Sequence, residues 1–326
     1  MCNISGWVSF KQYNESFMKR NFTFFATCMA FLLLSFASCN NFDGEQKVPA
    51  YLRIDSVGLK TDPNVFGVNT HNITDVWVYV DDKTIGTFEL PATFPVLKEG
   101  KHKLSIYGGI KLNGISESRI PYPFFKPLII EDFGLYPDSV VSLSVPQFEY
   151  YELNTTTHVA WIEDFEVASV TLEPGAFNDS TVSMERVSQE EGAMQWEHSY
   201  YSGKITLPAD TNKYFFFQSY KSFDELPTNG AACMLELDFN TNDTVVVGVI
   251  SYKHNKATLH DLVKLMPTDP DHDTPNKWKK IYVNIGPIVI DNKDADKYKI
   301  YIQSVQRDPR ISKYYFDNFK LLYRER

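Results

Sequence analysis

Asp75–Leu90 reads DVWVYVDDKTIGTFEL, and its pattern sets the fold class. Val76, Val78 and Val80 fall on one side of an extended chain and Trp77 and Tyr79 on the other, the period-two alternation of a strand. Asp81-Asp82-Lys83 supplies turn chemistry, and Thr84–Leu90 returns as the second arm of a hairpin before Pro91 and Pro95 break the pairing. Outward from this hairpin the pattern repeats in Tyr51–Val57, in Lys103–Tyr107 after the turn Glu99-Gly100-Lys101, in Phe124–Glu131 and in Ser139–Val145. The chain holds 24 Phe, 19 Tyr and 5 Trp, a composition that favours strands. Short strands with turn residues between them predict a small antiparallel sandwich over residues 48–153.

Polar Asn154-Thr155-Thr156-Thr157 marks a linker. Beyond it, residues 158–326 offer nine strands: His158–Glu166, Val182–Val187, Ala193–Tyr200, Tyr214–Tyr220, Ala231–Phe239, Val245–Tyr252, Lys277–Ile285, Lys297–Val305 and Tyr314–Tyr323. Thr258–Leu265 is readable as a strand or a helical turn. This spacing predicts a jelly roll. The fold class expected is therefore all-β, with two antiparallel β-sandwich domains.

The segment VWVYVDDKTIGTFELPATFPVLKEGKHKLSI resembles PEGA-type and prealbumin-like extracellular modules, which implies an Ig- or prealbumin-like spacer or adhesive body. The second body resembles carbohydrate-binding-module and galactose-binding-like jelly rolls through Asp164-Phe165-Glu166 near its start, Trp278-Lys279-Lys280-Ile281-Tyr282-Val283, and Phe316-Asp317-Asn318-Phe319-Lys320-Leu321 near its end. That resemblance implies a structural calcium tying the first strand to the last, held by Asp164, Glu166 and Asp317. Calcium requires several hard oxygen ligands, so one carboxylate alone would not hold it. Asp269-Pro270-Asp271-His272-Asp273 starts like a calcium loop but places Thr274 where Gly is required and Lys280 where the bidentate Glu belongs, so it reads as an exposed acidic turn, as does Asp291–Asp296.

Alternation sends Trp278, Lys280, Tyr282 and Asn284 to the non-core face of one strand, and Lys299, Tyr301 and Gln303 to that of another. If the two share a sheet, Trp278, Tyr282, Tyr301 and Gln303 form a face on which aromatic planes stack against sugar rings and polar groups bond hydroxyls. The structural alternative is a Trp that covers a sheet edge or a domain interface. No Gly-x-Ser-x-Gly elbow, Gly-rich phosphate loop or His-Glu-x-x-His occurs, and adjacent acids such as Glu163-Asp164 point to opposite sides of a strand. A hydrolase would have to draw its carboxylates from distant strands.

Location is written in Met18–Cys39, MKRNFTFFATCMAFLLLSFASC. Lys19 and Arg20 precede an uncharged, mostly apolar run, Phe22–Phe36, that is short for a membrane span and exits through Ala37 and Ser38: the layout of a signal peptide, with Met18 the expected initiator. Ser35-Phe36-Ala37-Ser38-Cys39 resembles a bacterial lipobox, with Phe36 its departure, and implies lipidation of Cys39. Asp43 and Glu45, in the tether 40–47, look like the surface-export signal of Bacteroidota lipoproteins. Four Asp-Ser/Thr-aliphatic or Asp-Ser-Thr triplets, starting at Asp55, Asp138, Asp179 and Asp243, resemble O-glycan acceptors of secreted proteins in that group. Cleavage before Cys39 would remove Cys2 and Cys28 and leave Cys233 as the one unlipidated cysteine, so no disulfide or zinc spacing arises. It would also remove three cations and one anion, taking the net charge from −9 to −11, which argues against nucleic acid. The expectation is an outer-membrane, surface-displayed lipoprotein that binds a glycan or a surface protein without catalysis.

Overall fold

The hairpin at Asp75 forms as its alternation requires. In the computed structural model, which describes Met29 and residues 47–153, 156–209, 213–268, 277–306 and 309–325, the first strands are β1 (Ala50–Ile54), β2 (Gly58–Lys60), β3 (Asp75–Val80), β4 (Lys83–Glu89), β5 (Ala92–Val96), β6 (Gly100–Lys111), β7 (Arg119–Pro121), β8 (Leu128–Leu135), β9 (Val140–Leu143) and β10 (Gln147–Glu149). Val80 pairs with Lys83 across a two-residue turn. Asp81 and Asp82 take φ of 50° and 60°, the left-handed pair that such a turn needs to match the strand twist. Val76, Val78 and Val80 are buried, as the alternation predicts. One sheet runs β4-β3-β6-β7 with β8 also on β6, and a second runs β5-β1-β9. The β1–β9 and β2–β10 pairings are parallel, so this body departs from the purely antiparallel expectation. Phe124 and Phe125 turn into the core ahead of Pro127, and the strand expected from Phe124 begins at Leu128.

The later strands are β11 (Thr157–Glu163), β12 (Leu172–Pro174), β13 (Met184–Ser188), β14 (Tyr201–Leu207), β15 (Tyr214–Ser219), β16 (Cys233–Thr241), β17 (Val245–Lys253), β18 (Lys256–Leu265), β19 (Lys279–Asn284), β20 (Lys297–Val305) and β21 (Ser312–Arg324). They build two facing sheets, β13-β14-β21-β16-β19 with β11 on β21, and β12-β15-β20-β17-β18. Leu235, Leu237, Ile281, Val283, Phe319 and Leu321 of the first sheet meet Phe215, Phe217, Val247, Val249, Ile300 and Ile302 of the second in one apolar interior. Cys233 is a buried member of it, and burial pushes its thiol pKa up. Thr258–Leu265 resolves as strand. Ala193–Tyr200 does not: it is a looped segment with a single bridge from Trp196 to Ser199 and a left-handed His198 at φ 63°.

A second apolar cluster fills the N-terminal sheets and takes in Met234, Tyr282 and Leu322 from the outer face of the β16–β19–β21 sheet. Residues Pro49–Arg326 accordingly pack as one unit. The helices among the described residues are short, and none is long and apolar enough to cross a membrane. One of them, α1 (Pro63–Phe66), is capped by Asp62 and stopped by Gly67 at φ 68°, which launches the loop 67–74 toward the jelly roll.

Because both clusters are built on one sheet and pack in one unit, Phe319→Ala in the first cluster and Phe148→Ala in the second should each lower a single shared urea-unfolding transition, by about 3–5 kcal/mol. Two separate transitions, each moved by only one substitution, would contradict a single cooperative unit.

Candidate functional site

The outer face of a jelly-roll sheet is ordinarily where polar side chains meet water. Here Glu236 and Asp238, two apart on β16, share that face with Lys280 of β19 and Lys320 of β21, and all four are buried. A bulge in β21 opposite Glu236–Asp238, with Asn318 at φ 51°, turns Asp317 and Asn318 to the same side. Lys280 Nζ lies 3.3 Å from Glu236 Oε2 and 3.5 Å from Asp238 Oδ2, and Lys320 Nζ lies 3.6 Å from Glu236 Oε2.

The N-terminal body completes these groups. Tyr122 Oη donates to Glu236 Oε1 at 2.6 Å, and Tyr150 Oη lies 2.9 Å from both Glu236 oxygens. Lys320 Nζ donates to Tyr150 Oη at 3.0 Å. Thr70 Oγ1 donates to Asp238 Oδ2 at 2.7 Å, and Asn72 Nδ2 donates to the Lys280 carbonyl at 2.9 Å. Burial alone would raise the Glu236 pKa, but the Lys320 and Lys280 ammoniums outweigh it and hold the carboxyl below its usual range. Burial likewise opposes the charge on Lys280, yet Asp238 and Glu236 keep its pKa above the ordinary value. Lys320 goes the other way: burial pulls it down to about 8. Burial, reinforced by Asp238, lifts the Asp317 pKa well above the carboxylate range. Asp317 Oδ2 accepts from Ser199 Oγ at 2.9 Å and Ser202 Oγ at 2.8 Å.

Where this covered face comes to the surface it leaves a cleft of about 330 Å³. The floor is the Asp238–Lys280 pair, one wall is Thr70 and His71, and the other is Met194, Gln195 and Trp196, with Trp278 and Lys279 at the rim. Trp196 is 44 % exposed, and its Nε1 donates to Asn69 Oδ1 at 2.7 Å, which fixes the ring in the mouth. Trp278 packs edge-on against Tyr315 at 6.4 Å, and its buried Nε1–H has no acceptor among the described residues. Burial, reinforced by Lys280, lowers the His71 pKa and favours the neutral ring. A second cleft, of about 280 Å³, lies by His158, Lys221, Phe223 and Tyr323. There His158 stacks on Tyr323, its Nε2 lies 3.4 Å from Glu325 Oε1, and Lys221 bonds the Ala160 carbonyl.

The four side chains expected to share a sugar-binding face do not come together. Trp278 precedes β19 in one sheet, whereas Tyr301 and Gln303 lie on β20 in the other. Tyr282 does point away from the jelly-roll core, but into the N-terminal body, where its ring packs 4.7 Å from Tyr122. Tyr301 is buried under Phe216 at 5.1 Å and bonds Asp261, as does Gln303 at 3.2 Å. Of the four, Trp278 alone lines the cleft. Trp196, Asn69 and His71 were missed: the alternation of Met194, Trp196 and His198 suggests a strand, and residues 69–71 sit in an unpatterned loop.

The calcium ligands also fail to assemble. Asp164 Oδ1 accepts from the Glu166 amide at 3.2 Å, Glu166 Oε1 accepts from the Tyr200 and Tyr201 amides at 2.7 and 3.0 Å, and Asp317 is held by serines. Among the described residues no group of three or more His, Cys, Asp or Glu side chains is arranged to hold a metal. Cys39 and Asp269–Asp273 lie outside the described residues.

No protein-family model matches the sequence, and no curated protein matches it. Among solved structures the chain is similar to a family 11 carbohydrate-binding module from Clostridium thermocellum in complex with a β-1,3-1,4-mixed-linked tetrasaccharide, at 13 % identity over 51 % of this chain and 95 % of that one, with a TM-score of 0.35. It is also similar to a carbohydrate-binding module of the β-sandwich superfamily studied for promiscuous specificity, at 11 % identity over 85 % of this chain and 99 % of that one, with a TM-score of 0.39. A third is a xylan-binding domain of family 22, at 10 % identity over 52 % of this chain and 95 % of that one, with a TM-score of 0.33.

Glu236→Gln removes the shared counter-charge of two buried lysines and should cost about 3–5 kcal/mol at neutral pH. Because Glu236 is held low, its contribution fades as pH falls below the ordinary 4.5, and the gap between variant and parent should shrink there. Asp317 has the opposite sign: its raised pKa means stability is lost as pH rises from the usual carboxylate range through the raised value. Asp317→Asn should therefore flatten that loss, as read by urea unfolding across a pH series.

Proposed function

We propose that the chain is a non-catalytic glycan-binding protein whose ligand seats in the cleft between Trp196 and Trp278. One observation carries this: a half-exposed indole held in place by Asn69 stands beside a second indole whose N–H is buried with no acceptor among the described residues, above a floor whose charges already satisfy one another. An aromatic plane takes the C–H face of a sugar ring, and an orphaned donor takes a hydroxyl or ring oxygen that reaches it. Among the described residues the cleft has a single lining carboxylate, Asp238, and it is engaged by Thr70, Asn318 and Lys280. General acid–base hydrolysis of a glycoside needs two carboxyl groups flanking the bond, so the residues lining this cleft suit retention of a ligand rather than its cleavage. The sequence of Met18–Cys39 supports a lipid anchor at Cys39 and display from an outer membrane, which would place the cleft where extracellular glycans are met.

On a panel of immobilised oligosaccharides, Trp196→Ala should weaken binding about tenfold or more while leaving the unfolding midpoint nearly unchanged, since the ring is largely outside the core. Trp278→Phe keeps an aromatic plane but removes the donor, and a smaller loss is expected. Binding that ignores both substitutions would refute the site. Mass spectrometry of membrane-extracted protein should find acyl chains on Cys39, and an uncut leader with an unmodified thiol would refute the anchor.

A further inference from the structure

The outer face of a jelly-roll sheet can accommodate a polymer running across it only if that face is open at both sides. In this protein the described residues bound that face on four sides. Along β16 away from the cleft, Glu236 is capped by Tyr122 and Tyr150, and beyond it Met234 lies inside the N-terminal core. The other way along β16, Asn240 is buried and accepts from Thr268 Oγ1 at 2.8 Å. Across β21, Met194 packs on Asn318, and the serines at 199 and 202 sit on Asp317. The remaining wall is the loop 67–74, tied down by Asn72 to the Lys280 carbonyl and to Tyr282 Oη at 3.1 Å, and joined over the mouth to Trp196 through Asn69.

From this enclosure, and resting on the glycan reading above, we infer that the site recognises the end of a glycan chain, or a free mono- or disaccharide, and not an internal stretch of polymer. The cleft volume, about 330 Å³, is at the lower end of the roughly 300–1,000 Å³ of ligand pockets and has room for about two sugar rings. Trp196 would stack one ring at the mouth, and Trp278 at the rim, once ligand entry uncovers its buried Nε1–H, would donate to an oxygen of that ring. His71, neutral and half-buried, stands where the next ring of a continuing chain would have to pass. The N-terminal body is then a builder of the site, because it supplies Asn69, Thr70 and His71, and not a spacer beneath it.

The test uses the full chain with gluco-, xylo-, manno- and galacto-configured oligosaccharides of one to six units, and the corresponding polymers, by titration calorimetry. Affinity should rise from one unit to two and then stay within about twofold up to six, and polymer should saturate in proportion to its chain ends. His71→Gly should open the wall and let six-unit ligands gain on two-unit ligands. A climb of more than about tenfold between two and six units in the parent, or polymer loaded along its length, would overturn the inference while leaving glycan binding intact. An unchanged six-to-two ratio in His71→Gly would remove His71 as the wall. Failure of every series to bind would overturn the glycan reading itself, and this inference with it.

Discussion

The carboxylate of Glu236 is the point on which the two bodies of this protein meet. It accepts from two tyrosines of the N-terminal sheets and faces two lysines of the jelly roll, with no water-exposed oxygen left over. Taking such groups out of water costs several kcal/mol per ion, and the attraction between them repays it only when each partner is in place. The apolar contacts around Tyr282, Met234 and Leu322 hold the bodies together. The charges select the seat, because few relative placements would satisfy Glu236, Asp238, Lys280 and Lys320 simultaneously.

The candidate site is a consequence of that seat. With the N-terminal body docked, the loop from Gly67 to Thr74 is brought across the sheet face, and the cleft is what remains between it and the 194–196 segment. Asn69 then orients a tryptophan that belongs to the other body. Fold, docking and site are therefore not separable layers: a change at Glu236 acts on the core, on the docking and, through Thr70 and Asn72, on the wall of the cleft.

Much of the strand pattern could be read from alternation, since β3 and β20 each place one apolar side chain in two on the core. What misled was the assumption that the other side of an amphipathic strand faces water. Tyr282 and Lys280 are on that other side, and both are buried, because Tyr122 and Thr70 of the N-terminal body cover them. Nothing local in KKIYVN announces such a partner. The same blindness hid Trp196: its segment alternates like a strand, but His198 turns left-handed and folds it into a loop. The pairing of strands into sheets, which separated Trp278 from Tyr301, is likewise a property of topology that periodicity does not carry.

The most direct measurement is a crystal structure of the full chain soaked with a disaccharide that it binds in titration. The account expects a sugar ring stacked on Trp196, an oxygen of the sugar within hydrogen-bond distance of Trp278 Nε1, and Thr70–His71 closing the inner end. A sugar found instead on the opposite sheet, over Phe216 and Tyr301, or lying across the sheet with the 67–74 loop displaced, would contradict it.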